Sequence, residues 1–326
     1  MSESISVVIR CFNEEEHIGR LLTGLLKQSQ PPSQIVVVDS GSTDATLAIA
    51  ARFPVEIHRI DPQQFSFGRS LNNGCRAASG DLIAIASAHV YPLYDSWLAL
   101  LAAPFADPSL ALAYGRQVAD KTTAYSERQI LRHWFPERSD PDQQHPFCNN
   151  ANAMVRRTVW EQFQYDESLT GLEDLAWANQ ALQSGYRIAY VAEAPVVHIH
   201  HQSWAQIVNR YRREAVAHRR IMHDQRMGRI EAIRLATTNI ASDYVHAARE
   251  GELLRNLLAI PRFRAAQFRG TYSGFAQHGE VSAALRRHFF YPLGIGRSRA
   301  PAEPPPSSGR EILYEEVPLP GVGRRQ

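Results

Sequence analysis

Two apolar runs near the start, residues 6–9 (SVVI) and 35–38 (IVVV), show none of the polar alternation of a half-exposed strand. Strands that are apolar on both faces must be covered on both, which restricts the chain to a sheet sandwiched between helices. The intervening text supplies them. Ile18, Leu21, Leu22, Leu25 and Leu26 recur at helical spacing behind Glu14–Glu15–Glu16, and Ser42 and Thr43 offer caps for a helix through Leu47 and Ile49. A strand at 55–60, a helix at 71–78 and a strand at 82–86 continue the alternation. The expected class is α/β, with a Rossmann-like, mostly parallel central sheet and flanking helices. Farther along, the pattern predicts a strand at 110–118, a loop at 136–150, a strand and helix over 151–163, a helix at 172–183, and short strands at 186–191 and 196–199. Residues 203 to about 290 read as helical and Arg-rich, and the Pro-rich end as flexible. The expected organisation is a core over 1–202, a basic helical region over 203–298 and a tail over 299–326.

Open α/β sheets bind ligands beyond the carboxyl ends of their strands. The residues there are Phe12–Asn13–Glu14 after the first strand, Asp39–Ser40–Gly41–Ser42 after the second, and Ser87–Ala88–His89 after the fourth. Each also has a structural reading: Asp39 as a helix cap, Gly41 as a tight turn. No GxGxxG or GxxxxGK[ST] follows either early strand, which argues against dinucleotide or P-loop binding.

Taken together, SVVIRCFNEEEHI, VVVDSGSTDAT, NNGCRAASGDLIAIASAH and Gly171–Leu172–Glu173–Asp174 resemble the family 2 glycosyltransferases, with their GT-A fold, over roughly residues 4–215. The resemblance implies that Asp39 binds the base of a nucleotide diphosphate sugar, with Phe12, Asn13 and Glu14 walling base and ribose. It makes Asp174 the general base and Glu173 its neighbour. The chemistry is consistent: inverting transfer needs one carboxylate to take the acceptor hydroxyl's proton, and adjacent carboxylates raise one another's proton affinity. The alternative is that Glu173–Asp174 only complement a helix dipole. Clustered Asn149, Asn150 and Asn152 offer sugar contacts or turns, and Trp177 a stacking platform or a core aromatic.

The chain departs from the family where Asp–x–Asp is usual, carrying Ser87–Ala88–His89 instead. The hard-oxygen pair for Mg²⁺ or Mn²⁺ is missing; His89 is a possible imidazole ligand, better suited to Mn²⁺. His198 and His200 alternate along a strand and share a face. Three readings stay open for them: metal ligands with His89, contacts to the diphosphate, or surface histidines. Arg76, Arg116, Arg210 and Arg213 are further diphosphate candidates.

Charge is unevenly distributed. Residues 1–200 carry 15 basic against 22 acidic side chains, and residues 201–300 carry 17 against 7. A stripe of Trp204, Ile207, Val208, Tyr211, Ala215 and Met222 beside arginines suggests peripheral contact with an anionic membrane, which would suit a glycan or lipid-linked acceptor. No motif for nucleic acid accompanies the charge. The absence of a long apolar run, a start without signal-peptide order, and three scattered cysteines lead to an expected cytoplasmic protein, peripheral at most. The expected function is a glycosyltransferase of cell-surface polysaccharide or lipid-linked glycan synthesis. The alternatives are a non-catalytic nucleotide-sugar-binding relative and a nucleotidyltransferase, whose Gly-rich basic loop is absent after the first strand.

Overall fold

The structure, a computed structural model, describes residues 3–200, 202–222, 227–276 and 309–314. Its strands are β1 (Ile5–Cys11), β2 (Gln34–Asp39), β3 (Glu56–Arg59), β4 (Leu82–Ser87), β5 (Val90–Pro92), β6 (Leu110–Ala119), β7 (Asn152–Arg156) and β8 (Arg187–His198). The helices are α1 (Ile18–Leu26), α2 (Thr46–Ala50), α3 (Phe67–Ala77), α4 (Trp97–Ala102), α5 (Tyr125–Trp134), α6 (Arg157–Gln162), α7 (Glu173–Gln183), α8 (Trp204–Ile221), α9 (Arg229–Arg249), α10 (Leu253–Asn256) and α11 (Ala259–Phe275).

One eight-stranded sheet has the order β3-β2-β1-β4-β7-β6-β8-β5. The first half is parallel, as the apolar runs require: Val7, Val8 and Ile9 are fully buried, as are Val36, Val37 and Val38. The second half is mixed, because β7 runs antiparallel to both β4 and β6, and β5 antiparallel to β8. The two short strands expected after residue 186 form one long β8. Its ladder with β6 shifts register between Gly115 and Gln117, opposite the stretch ending at Pro195. A proline has no N–H to give a ladder, so pairing skips across it.

The helical region also differs from expectation. Ile207, Tyr211 and Ala215 of the α8 stripe are buried, with Ile207 and Tyr211 packed on Phe263 of α11 and Ile130 of α5. The middle of the stripe expected to meet a membrane is therefore internal core, while Trp204 at its start is exposed. Arg264 and Asp243, both almost fully buried, pair bidentately at 2.8 Å and tie α11 to α9, and Ser126 of α5 donates to the same carboxylate. Within the Pro-rich end, Glu311 bridges Tyr94 and the Tyr314 hydroxyl donates to the Pro92 carbonyl, so residues 309–314 lie against the sheet edge. All three cysteines are free and buried. Among the described residues, no helix is long and apolar enough to cross a membrane.

Candidate functional site

The loops after β1 and β2 are zipped together at the carboxyl edge of the sheet. Asn13, in the left-handed region at φ 54°, accepts at its side-chain oxygen from the Thr43 N–H at 2.8 Å and donates its own N–H to the Ser42 hydroxyl at 2.9 Å. Asp39 is 1% exposed, and its carboxylate accepts from the Gly41 N–H at 3.0 Å and the Ser42 N–H at 3.1 Å. Gly41 has φ +96°, and a Cβ there would sit 2.5 Å from Pro62, so the turn requires glycine. In this conformation Asp39 shapes the wall through its own turn, and the exposed aromatic at the edge is Phe12, 55% accessible. Ser40, buried, follows Asp39 and donates its N–H to the Cys11 carbonyl; Ser87 pairs with Arg10 across the β1–β4 ladder.

Three imidazoles converge beyond β4 and β8. Val90 of β5 pairs with His198 of β8, which brings His89 beside it; their rings stack with centroids 5.0 Å apart, and His198 and His200 are 4.0 Å apart. One ring nitrogen from each of His89, His198 and His200 lies within 4.8 Å of the others. Each ring is gripped at Nδ1: His89 by Glu14 at 2.7 Å, His198 by Gln117 at 2.6 Å and His200 by Glu127 at 2.9 Å. The Nε2 of His198 is buried and has no partner among the described residues. Burial lowers the proton affinity of His198 and His200, and the neighbouring imidazoles and Arg210 lower it further for His198, so both rings are neutral near pH 7. Neutral imidazoles held by carboxylate or amide, with one nitrogen from each gathered within 4.8 Å of the others, are the donor chemistry of a transition-metal site, although Arg210 also contacts His200 Nδ1 at 3.0 Å.

Glu127 was not singled out in the sequence, because a lone glutamate on an unremarked helix carries no motif. Burial raises its carboxyl, but Arg210 at 2.6 Å and His200 outweigh that and hold it well below the usual carboxylate range. Arg210 is thus committed to Glu127 and His200 rather than left free for a diphosphate. Arg213 lies over the Phe67 ring at 4.5 Å, with Arg10 near the same ring at 5.3 Å. Arg76 does not join the site. It ends α3 near the start of β2, where it pairs with Glu167 and Gln164. The connecting helix runs back from the carboxyl edge, which carries Arg76 to the opposite end of the sheet. Arg116, at the β6 lip, is engaged by Glu137. His201 lies outside the described residues.

Glu173 and Asp174 begin α7 after Leu172, which is in the left-handed region at φ 56°. Glu173 accepts from Arg10 at 3.0 Å. Asp174 accepts from the N–H groups of Asn150 at 3.1 Å and Leu175 at 2.8 Å and faces a cavity of about 80 Å³ lined by Trp134, Phe147, Leu172, Tyr211 and Phe275. Burial in this apolar wall pushes the Asp174 carboxyl up to about 7, and the Glu173 carboxylate adds to the rise. The side-chain amide of Asn150, also buried, has no partner among the described residues. Asn152 instead holds the frame, accepting from Trp97 and donating to the Ala194 carbonyl, and Trp177 is core.

A cleft of about 550 Å³, lined by Asn13, Glu14, His89, His200, Arg210 and Arg213, opens at the sheet edge. A smaller hollow shares His200 and Arg210 with that cleft, and Trp134, Asn149, Tyr211 and Glu214 with the Asp174 cavity. The imidazole cluster and Asp174 thus lie along one run of adjoining spaces, walled on one side by α8.

The chain is 26% identical over 230 residues to the O-antigen chain rhamnosyltransferase RfbN of Salmonella typhimurium, spanning 66% of this chain and 72% of that protein. It is 28% identical over 207 residues to the O-antigen chain rhamnosyltransferase WbaN of Salmonella anatum, spanning 59% of this chain and 64% of that one. Among solved structures it resembles a mannosyltransferase from Pyrobaculum calidifontis in complex with GDP-Man and Mn²⁺, at a TM-score of 0.58 and 18% identity over 85% of this chain and 86% of that one. It also resembles S. aureus TarS 1–349 in complex with UDP-GlcNAc, at a TM-score of 0.52 and 17% identity over 85% and 92% of the two chains. The fold is GT-A, a mixed sheet with flanking helices, followed by a helical C-terminal region. Residues 6–163, which contain the zipped loops and His89, match the family model described as Glycosyl transferase family 2.

Proposed function

We propose that this protein transfers a sugar, with inversion, from a nucleotide diphosphate sugar to a hydroxyl acceptor in cell-surface polysaccharide or lipid-linked glycan synthesis. The observation that carries the reading is the pairing, along one run of adjoining spaces, of a gripped three-imidazole cluster with a carboxyl tuned to about 7. Phe12 stacks on the base at the open edge, and Asn13 and Glu14 line the donor side. Asp39 holds the Gly41–Ser42 turn on which the nucleotide lies.

Asp174 accepts the acceptor hydroxyl's proton. Its affinity near 7 leaves it substantially deprotonated at neutral pH, yet still basic enough to assist. The two N–H groups that hold its oxygens fix its orientation, and the unpartnered amide of Asn150 beside it is available to a sugar hydroxyl. The residues present fit a divalent ion: His89, His198 and His200 would hold it, and three nitrogen donors favour Mn²⁺ over Mg²⁺. Such an ion, when bound, supplies positive charge against the leaving diphosphate. Glu14, Gln117 and Glu127 orient the three rings, and Arg210 is the counter-charge that keeps Glu127 ionised. Residues of 1–202 make the donor side and supply Asp174 and Asn150 to the acceptor side, which Arg210, Tyr211 and Glu214 of 203–298 help to close.

The test is nucleotide release from a panel of nucleotide sugars with Mn²⁺ or EDTA. Nucleoside diphosphate release that EDTA abolishes, and a His198→Ala variant that loses Mn²⁺ binding by calorimetry, are the expected results. Pyrophosphate exchange would instead identify a nucleotidyltransferase, and binding without turnover a non-catalytic relative.

A further inference from the structure

We propose that the outer face of α9 and α10 docks this protein onto an anionic lipid bilayer. The middle of the α8 stripe that sequence alone suggested is consumed in packing, leaving Trp204 exposed, and a different apolar surface is more open. Along α9, Ile230, Ile233, Thr237, Ala241, Val245 and Ala248 follow three- and four-residue spacing and are all exposed, Ile230 at 85%. The chain turns at Gly251, and α10 then presents Leu254 at 86%, with Leu257 and Leu258 also exposed. The two surfaces adjoin, because the Tyr244 hydroxyl on that side of α9 donates to the Leu257 carbonyl at 2.7 Å. Exposed leucine and isoleucine side chains concentrated on one corner mark an interaction surface rather than ordinary surface scatter.

Charge decides the occupant. The acids of the corner are neutralised: Glu250 accepts from Arg132 and from the Tyr125 hydroxyl, and Glu252 pairs with Arg128, all on α5. Arg234, Arg249, Arg255 and Arg262 remain exposed, with no acidic partner among the described residues. The outer corner is therefore apolar and cationic with its carboxylates paired, the chemistry of an interfacial helix against anionic headgroups. A second copy of the chain would set these arginines against one another. Because α5 also carries Glu127, one helix separates the docking corner from the imidazole cluster. The proposal rests on the glycosyltransferase reading only for its purpose, which is to bring a lipid-linked acceptor to the cleft.

The full chain is sedimented with phosphatidylcholine vesicles, with and without about 30% phosphatidylglycerol, at salt from about 0.05 M to about 0.5 M. Binding to the anionic vesicles alone, weakened about tenfold or more at high salt, is expected. The double variant Leu254→Asp/Leu258→Asp should lose it, and Arg249→Gln/Arg255→Gln should flatten the salt dependence. Both variants should keep the wild-type melting curve and nucleotide release in solution, so a failure here leaves the activity reading intact. Absent sedimentation, or sedimentation unchanged in the leucine variant, overturns the proposal. So does a dimer by light scattering that the leucine variant dissolves, which would assign the face to a second copy.

Discussion

Adjacent on the first turn of α7, Glu173 is taken up by Arg10 while Asp174 faces aromatic side chains, so neighbours in sequence meet different surroundings. Sequence supplied the pair as a motif; it could not say which of the two faces the cavity, because that depends on where α8 and α11 pack. Replacing Asp174 by Asn keeps the shape but removes the proton acceptor. Transfer should fall by about 10²–10⁴-fold with nucleotide affinity unchanged, as read by turnover and calorimetry. In the wild type, turnover should rise with pH through about 7 as Asp174 gives up its proton, and that limb should vanish in the variant. Full activity in Asp174→Asn would refute the assignment. Arg76 shows the converse. A basic side chain near a motif reads as a phosphate ligand until the helix carrying it is seen to run away from the site.

At the scale of elements, the helices of the C-terminal region are held to one another by two features that leave little trace in a pattern of apolar residues. Gly270 of α11 lies against α8 so closely that a Cβ would sit 2.3 Å from the Val208 carbonyl oxygen. Gly270→Val should push the helices apart and destabilise the protein by about 1–3 kcal/mol in urea unfolding. It should also impair turnover, since Tyr211 and Glu214 on α8 wall the cavity of Asp174. The buried Arg264–Asp243 pair is the second feature. Arg264→Met strands a carboxylate in the core and should cost about 3–5 kcal/mol by the same measurement, whereas replacing both partners together with apolar residues should cost much less.

For the whole molecule, burial of ionisable groups sets the response to acid. Burial depresses His198, His200 and His218, the last to about 4, while it raises Asp174 to about 7 and lifts Glu214. The depressed histidines are stabilising above their unfolded pKa of about 6.5, and that contribution is lost as pH falls, because the unfolded chain binds protons the fold refuses. The two raised carboxyls act in the opposite sense, as the fold holds protons that the unfolded chain releases. With His145, which burial also depresses, four imidazoles outnumber two carboxyls. Metal-free protein should therefore lose about 1–3 kcal/mol between pH 7 and pH 5, seen as a lower urea midpoint. A midpoint that rises on acidification would show that the carboxyls dominate.

What the sequence determined by itself was local and periodic. Doubly apolar strands demanded a covered sheet, and the strand ends carried Phe12, Asn13, Glu14, Asp39 and His89 to its carboxyl edge, because alternation and turn chemistry are properties of neighbouring residues. Convergence was decided only by tertiary structure. His198 and His200 meet His89 because the short β5 pairs with the end of β8. Glu127 comes to hold the His200 ring because α5, which carries it, packs beside the end of β8, and the middle of the α8 stripe turns inward because α11 covers it. Contacts between residues roughly a hundred positions apart depend on which helix reaches which face first, and no period in the text records that. The same packing that closed the α8 stripe left the leucines of α10 in the open.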